Sequence, residues 1–196
     1  MLRWLARLYL KLGGWTLVGR VPDHIQRAVV IAAPHTSNWD AWYGLLFCVV
    51  RRMPIRFAIK KEAMVFPLSL LLHRLGAVPI QRTRRVGEPQ RQSAVETMKE
   101  IVESASGRIF LVIAPEGTRQ YAPRWKRGFY HIAVQTQVPI LLGYIDYSRK
   151  RMGIGPLLQP TGDAESDIKA IKSFYEDKMG KYPAQGVRPA QENASE

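Results

Sequence analysis

The stretch Ala28-Val29-Val30-Ile31-Ala32-Ala33-Pro34-His35-Thr36-Ser37-Asn38-Trp39-Asp40 runs from six apolar residues straight into a polar cluster. Its apolar half reads as a buried strand. Ser37, with an acid three residues on, has the spacing of a capped helix start, and a helical pattern follows from Trp39 to Val50. A strand that hands over to a helix through a polar loop is the repeating unit of an α/β domain.

The same alternation recurs along the chain. Strands are expected at Ile55–Ile59, Ala77–Ile80, Ile109–Ile113 and Pro139–Ile145, and helices at Glu62–Leu75, Pro89–Ala105, Gly128–Gln137 and Asp167–Met179. The fold class predicted is therefore α/β, a single-domain mixed sheet flanked by helices. Residues 20–182 are expected to form that domain, after an N-terminal amphipathic helix in residues 1–19. The Pro-, Gly- and Asn-containing tail, 183–196, is expected to fray.

Composition agrees with one globular domain. The chain has 196 residues, 46% hydrophobic and 10% aromatic, enough to bury a core without staples. Its single cysteine, Cys48, excludes a disulfide framework and a multi-cysteine metal site. It lies in the apolar run Leu45–Val50 with no histidine or lysine near it, which suits a small buried hydrophobe in a reducing compartment. No apolar run approaches the ~20 residues of a membrane span, and the N-terminus lacks the pattern of a cleaved signal. Instead, Leu2, Leu5, Leu8, Tyr9 and Leu12 recur on one helical face, flanked by Trp4 and Trp15, with Arg3, Arg7 and Lys11 on another. That pattern fits either a helix lying at an anionic membrane surface or one packed on its own domain.

The 29 Lys and Arg outnumber the 16 Asp and Glu, a net charge of +13 that asks for an anionic partner. Nucleic acid is the less suitable one. The chain has no helix-turn-helix pattern, zinc spacing or aromatic-interleaved RNA motif.

Ligands in open α/β sheets sit beyond the carboxyl ends of strands. Three polar clusters fall there: Pro34–Asp40, Gln81–Arg85 and Pro115–Arg119. In the first, Asp40 fits either a carboxylate that orients His35 as a general base or a helix cap beside a loop histidine. In the third, Gly117 permits a tight turn and close ligand approach. Arg119 offers a fork of donors for phosphate, and Glu116 could receive ligand hydroxyls or brace an arginine. Lys126 and Arg127 follow, before Gly128 opens a helix whose first amides favour an anion. A solvated polar loop is the other reading. Arg82, one step past a buried strand, is the ligand-facing choice of the second cluster, with Arg84 and Arg85 left to the surface.

Four blocks together carry a resemblance. His35-Thr-Ser-Asn-Trp-Asp40 resembles the His-x4-Asp signature of the glycerolipid acyltransferases, the 1-acylglycerol-3-phosphate acyltransferase family. Val78–Arg82 is similar to their second block, Glu116-Gly117-Thr118-Arg119 matches the third, and Val138-Pro139-Ile140 the fourth. The resemblance implies a glycerolipid acyltransferase-like fold and acyl transfer from acyl-CoA or acyl carrier protein to the hydroxyl of a lysophospholipid. It implies His35 and Asp40 as the catalytic pair. Arg82, Glu116, Gly117, Thr118, Arg119, Lys60 and Lys126 would be substrate-binding, with no metal or further cofactor. It also implies peripheral attachment at the cytoplasmic face of an inner membrane. Gln81 and Gln120 depart from residues frequent in the family, which leaves the acceptor open to another lyso-lipid, such as an aminoacyl one. Trp39, Trp42 and Phe66 are expected either to line an acyl channel or to pack in the core.

Overall fold

The computed structural model describes residues 2–80 and 94–187, with the side chain of residue 63 left aside. Helices are α1 (Leu2–Leu12), α2 (Asn38–Arg51), α3 (Leu68–Arg74), α4 (Ala94–Glu103), α5 (Gly128–Gln135) and α6 (Ala164–Tyr175). Strands are β1 (Thr16–Val18), β2 (Arg27–Ala33), β3 (Ile55–Lys60), β4 (Ala77–Ile80), β5 (Ile109–Ile113), β6 (Ile140–Asp146) and β7 (Arg151–Leu158). They form one sheet in the order β1-β7-β6-β2-β5-β3-β4, parallel except where β6 meets β7. The expected mixed α/β sheet is what forms.

Alternate side chains of the central strands feed two cores, as the two-residue strand period requires. Val29, Ile31, Leu111, Ile140 and Leu142 meet Met98 and Val102 of α4, Phe129 and Ile132 of α5, and Ile171 and Tyr175 of α6. On the opposite face Ala28, Val30, Phe110 and Leu141 meet Ala6 and Leu10 of α1 and Phe47 and Val50 of α2. β2 and its neighbour β5 therefore send their following helices, α2 and α5, to opposite faces. That opens a crevice between their carboxyl ends.

Two strands, β1 and β7, were not expected. β7 carries Gly153, Gly155 and Pro156, residues that weaken a strand reading. Gly153 is there for closeness: a Cβ would stand 2.2 Å from the Val18 carbonyl oxygen across the β1–β7 pair. The expected helix Glu62–Leu75 is broken. A 3-10 turn covers Lys61–Ala63, and α3 starts only after Pro67, which has no N–H to extend a helix backwards. The expected helix Asp167–Met179 begins earlier, at Ala164. Asp163 caps it, its carboxylate accepting from the Glu165 and Ser166 amides at 3.0 and 3.2 Å. The tail begins with a 3-10 turn, Pro183–Gln185, and Val187 packs on a core.

The N-terminal helix docks differently from its sequence pattern. Ala6 and Leu10, with Trp15 after it, are the buried residues, whereas Leu2, Trp4, Leu5, Tyr9 and Leu12 are exposed. α1 thus packs on the domain through Ala6 and Leu10, with Leu8 half-buried, and leaves most of the leucine face exposed. Among the described residues, no helix is long and apolar enough to cross a membrane.

Candidate active site

β2 ends at Ala33 and the chain turns through Pro34 and His35 into α2. Ser37 is the N-cap, its hydroxyl accepting from the Trp39 amide at 3.2 Å. Asp40 completes the capping box and does more. Its Oδ2 accepts from the Thr36 amide at 2.7 Å and the Ser37 amide at 2.8 Å. The same oxygen stands 3.3 Å from His35 Nδ1. Its Oδ1 accepts from the Tyr147 hydroxyl at 2.7 Å. One buried carboxylate thus caps α2 and also stands against the His35 ring, the geometry that each of the two readings asks for.

This arrangement sets the imidazole. A carboxylate at Nδ1 favours the proton there and leaves Nε2 as the acceptor. Among the described residues Nε2 has no hydrogen-bond partner, and the His35 side chain is 28% exposed. The ring is held from behind and open in front. Burial, then the bond to Asp40, push the Tyr147 phenol well above its usual range, so it stays a donor. No local motif marks Tyr147 in the sequence. β6 places it there by running parallel to β2, with Ala33 opposite Tyr144.

The loop after β5 closes the other wall. Glu116 is buried, and its Oε1 accepts the His35 backbone N–H at 3.2 Å. Its Oε2 has no hydrogen-bond partner among the described residues. Burial raises the Glu116 carboxyl above its ordinary value of 4.5, opposed by the amide bonds it receives. Glu116 thus braces the histidine loop, and among the described residues it does not brace an arginine, one of the two contacts expected for it. Arg119 Nη1 donates to Asn38 Oδ1 at the start of α2, tying the two loops together. Gly117 has φ +66°, and a Cβ would lie 2.7 Å from Lys126 Cε and 2.8 Å from its Nζ. The ammonium of Lys126 lies directly over this glycine. Thr118 serves its own turn, accepting from the Gln120 amide at 3.2 Å.

His35, Asp40, Glu116, Gly117, Thr118, Arg119 and Lys126 thus come together at the crevice. Lys60 ends β3, exposed, without a hydrogen bond or ion pair to any of them. Arg82, with Gln81, Arg84 and Arg85, lies outside the described residues. The segment after α6 was missed as a contributor. Tyr182 N–H donates to Thr36 Oγ1 at 3.3 Å, and the Gln185 side-chain amide, in the orientation that satisfies its hydrogen bonding, donates to the Thr36 and Arg119 carbonyls at 3.1 and 2.7 Å. Trp39, Trp42 and Phe66 are 48%, 47% and 78% exposed, so they are not core residues.

The family model described as Acyltransferase matches residues 18–142, which contain both walls of this crevice except the Tyr147 brace. The chain belongs to the Acyltransferase family. The 1-acyl-sn-glycerol-3-phosphate acyltransferases of Limnanthes douglasii and Cocos nucifera are 27% and 35% identical to it over 123 and 119 residues. Those matches cover 61% and 59% of this chain but 41% and 36% of the relatives, so the chain spans well under half of their length. Among solved structures, the 1-acyl-sn-glycerophosphate (LPA) acyltransferase PlsC of Thermotoga maritima matches 88% of this chain and 74% of its own. The TM-score is 0.63 at 19% identity, a likeness of fold. The acyltransferase fold expected from the four blocks is the fold present.

Proposed function

We propose that the chain transfers a fatty acyl group from acyl-CoA or acyl carrier protein to the free hydroxyl of 1-acylglycerol-3-phosphate, giving phosphatidic acid. The observation that carries this reading is His35, held at Nδ1 by Asp40 with Nε2 open beside the Arg119 and Lys126 loop. Nε2 takes the acceptor's hydroxyl proton as its oxygen attacks the thioester carbonyl carbon. A C–O bond forms, the C–S bond breaks, and the imidazolium returns the proton to the departing thiolate. No enzyme nucleophile is required. The Thr36 and Ser37 amides are occupied by Asp40 and cannot receive the oxyanion. Arg119, Lys126 and Arg82 bind the acceptor's phosphate, Arg119 as a fork and Lys126 as a point charge. No metal takes part in this scheme.

The exposed Leu2, Trp4, Leu5, Tyr9 and Leu12 of α1 suit a peripheral position on an anionic bilayer, at the cytoplasmic face of the inner membrane. Such a position would present a lysophospholipid to the crevice. The test is turnover of labelled acyl-CoA and acyl carrier protein with a panel of lyso-lipids. His35→Ala should lose ~10²-fold or more in kcat, the size expected for a general base. Wild-type turnover by that variant would refute the mechanism. A preference for lyso-lipids without a phosphomonoester would reassign the acceptor.

A further inference from the structure

At the other end of α2, a second basic site lies outside the catalytic crevice. A cavity of about 210 Å³ is lined by Arg3, Arg7, Arg20, Arg51, Arg52 and Arg108, with Asp23 as its one acidic lining residue. It is formed by α1, the carboxyl end of α2, the segment before β2 and the residue before β5. α2 has 14 residues, so about 21 Å of helix separates it from His35.

Helix-end chemistry explains part of this cluster. Cations are favoured at the carboxyl end of a helix, and Arg3 Nε donates to the Val50 carbonyl at 2.9 Å. Arg51 Nη2 donates to the Leu17 carbonyl at 3.1 Å. That leaves Arg7, Arg20, Arg52 and Arg108 added to a charge already matched. Among the described residues, none of the six forms an ion pair within 4.0 Å. The Nε atoms of Arg51 and Arg108 are buried without a hydrogen-bond partner among the described residues. Burial and the nearby Arg7, Arg20 and Arg3 all disfavour the charged form of Arg51. Arginine cannot relieve such crowding by losing a proton. An anion can.

We propose that this cavity is a phosphate-binding site, separate from the catalytic crevice and independent of the acyl-transfer reading. The six arginines line a space of about 210 Å³, roughly seven water volumes, which suits a phosphate or diphosphate group with several charge-assisted hydrogen bonds. Two sources carry that chemistry: the headgroup of an anionic phospholipid and a soluble phosphate compound. Arg3 and Arg7 come from α1, whose other face is exposed leucine and tryptophan, so a headgroup could enter as the helix settles on a bilayer.

The test uses the full chain and two probes at constant ionic strength: inorganic pyrophosphate, and phosphatidylcholine vesicles with and without phosphatidylglycerol. Arg20→Gln/Arg52→Gln removes two exposed cavity arginines. Arg151→Gln/Lys169→Gln removes the same charge elsewhere. The site requires at least tenfold weaker pyrophosphate binding in the first variant and less than twofold change in the second. If phosphatidylglycerol vesicles follow the same pattern and pyrophosphate displaces them, the source is a headgroup. Vesicle binding that does not change in the first variant assigns a soluble phosphate ligand. Equal pyrophosphate affinity in wild type and Arg20→Gln/Arg52→Gln, or no pyrophosphate binding by wild type, overturns the site. Loss of acyl transfer in His35→Ala is read in a separate assay, so either proposal can fail alone.

Discussion

The Tyr147 hydroxyl donates to Asp40 Oδ1 across 2.7 Å, joining residues 107 positions apart. With two amides and His35 on Oδ2, this bond leaves the carboxylate little freedom to turn. Hydrogen bonds to charged groups contribute ~1.5–3 kcal/mol, and ~1.4 kcal/mol of barrier is a tenfold change in rate. Tyr147→Phe should therefore lower kcat roughly tenfold, with a smaller change in KM. Because Tyr147 acts only through Asp40, Asp40→Asn/Tyr147→Phe should be no slower than Asp40→Asn alone. Additive losses in that cycle would show that the phenol acts by another route.

Glu116 gives a pH prediction with a definite sign. Burial lifts its folded value above 4.5, so just above pH 4.5 the folded protein keeps a proton that the unfolded chain has released. Unfolding then releases a proton, and stability falls as pH rises through that window. Glu116→Gln removes the buried charge and keeps an acceptor for the His35 amide. Urea melts from pH 4.5 to 7 should show a flatter profile and equal or higher stability at pH 7. Its acyl transfer should nonetheless fall, since the brace behind His35 is altered. An unchanged pH slope would mean that Glu116 does not set it.

These two residues differ in how visible they are in the chain. Glu116 stands directly after the most apolar strand, in a cluster with Gly117 and Arg119 that follows the same rule as His35 and Asp40. Local order was enough to find it. Tyr147 has no such signal, because its partner is brought to it by the β2–β6 pairing, which depends on topology. Thr36 and Gln185 show the same limit, their contact spanning nearly the whole domain. β7 was hidden for another reason. Gly153 and Gly155 read as turn residues, but each accommodates a close neighbour, the Val18 backbone and the Phe174 ring. The arginine cavity was legible only as excess charge, since its six residues come from four separate segments.

Gly117→Ala should separate binding from chemistry. At φ +66° an added Cβ costs ~1–2 kcal/mol of backbone strain. It also meets Lys126 Cε at 2.7 Å, a flexible chain that can yield but only by leaving the loop. A modest loss of stability is expected, with KM for the phosphate-bearing acceptor raised several-fold and kcat changed less. A matching effect from Lys126→Ala, with no further loss in the double variant, would show that displacement of the ammonium is the cause. If Lys126→Ala left KM unaltered, Lys126 would have no part in binding the acceptor.

Cys48 should prove chemically quiet. It lies within α2, where burial pushes its thiol up to about 12. The thiolate is the reactive form, so at pH 8 about one thiol in ten thousand is reactive in the folded protein. From the ordinary value of 9.0, about one in ten would be. Iodoacetamide at pH 8 should label the native protein orders of magnitude more slowly than the urea-unfolded chain. Cys48→Ser should keep wild-type kcat, since the thiol belongs to the packing of α2 and no step of the transfer uses it. Fast labelling of the native protein, with loss of turnover, would place a reactive thiol in the mechanism and end this reading.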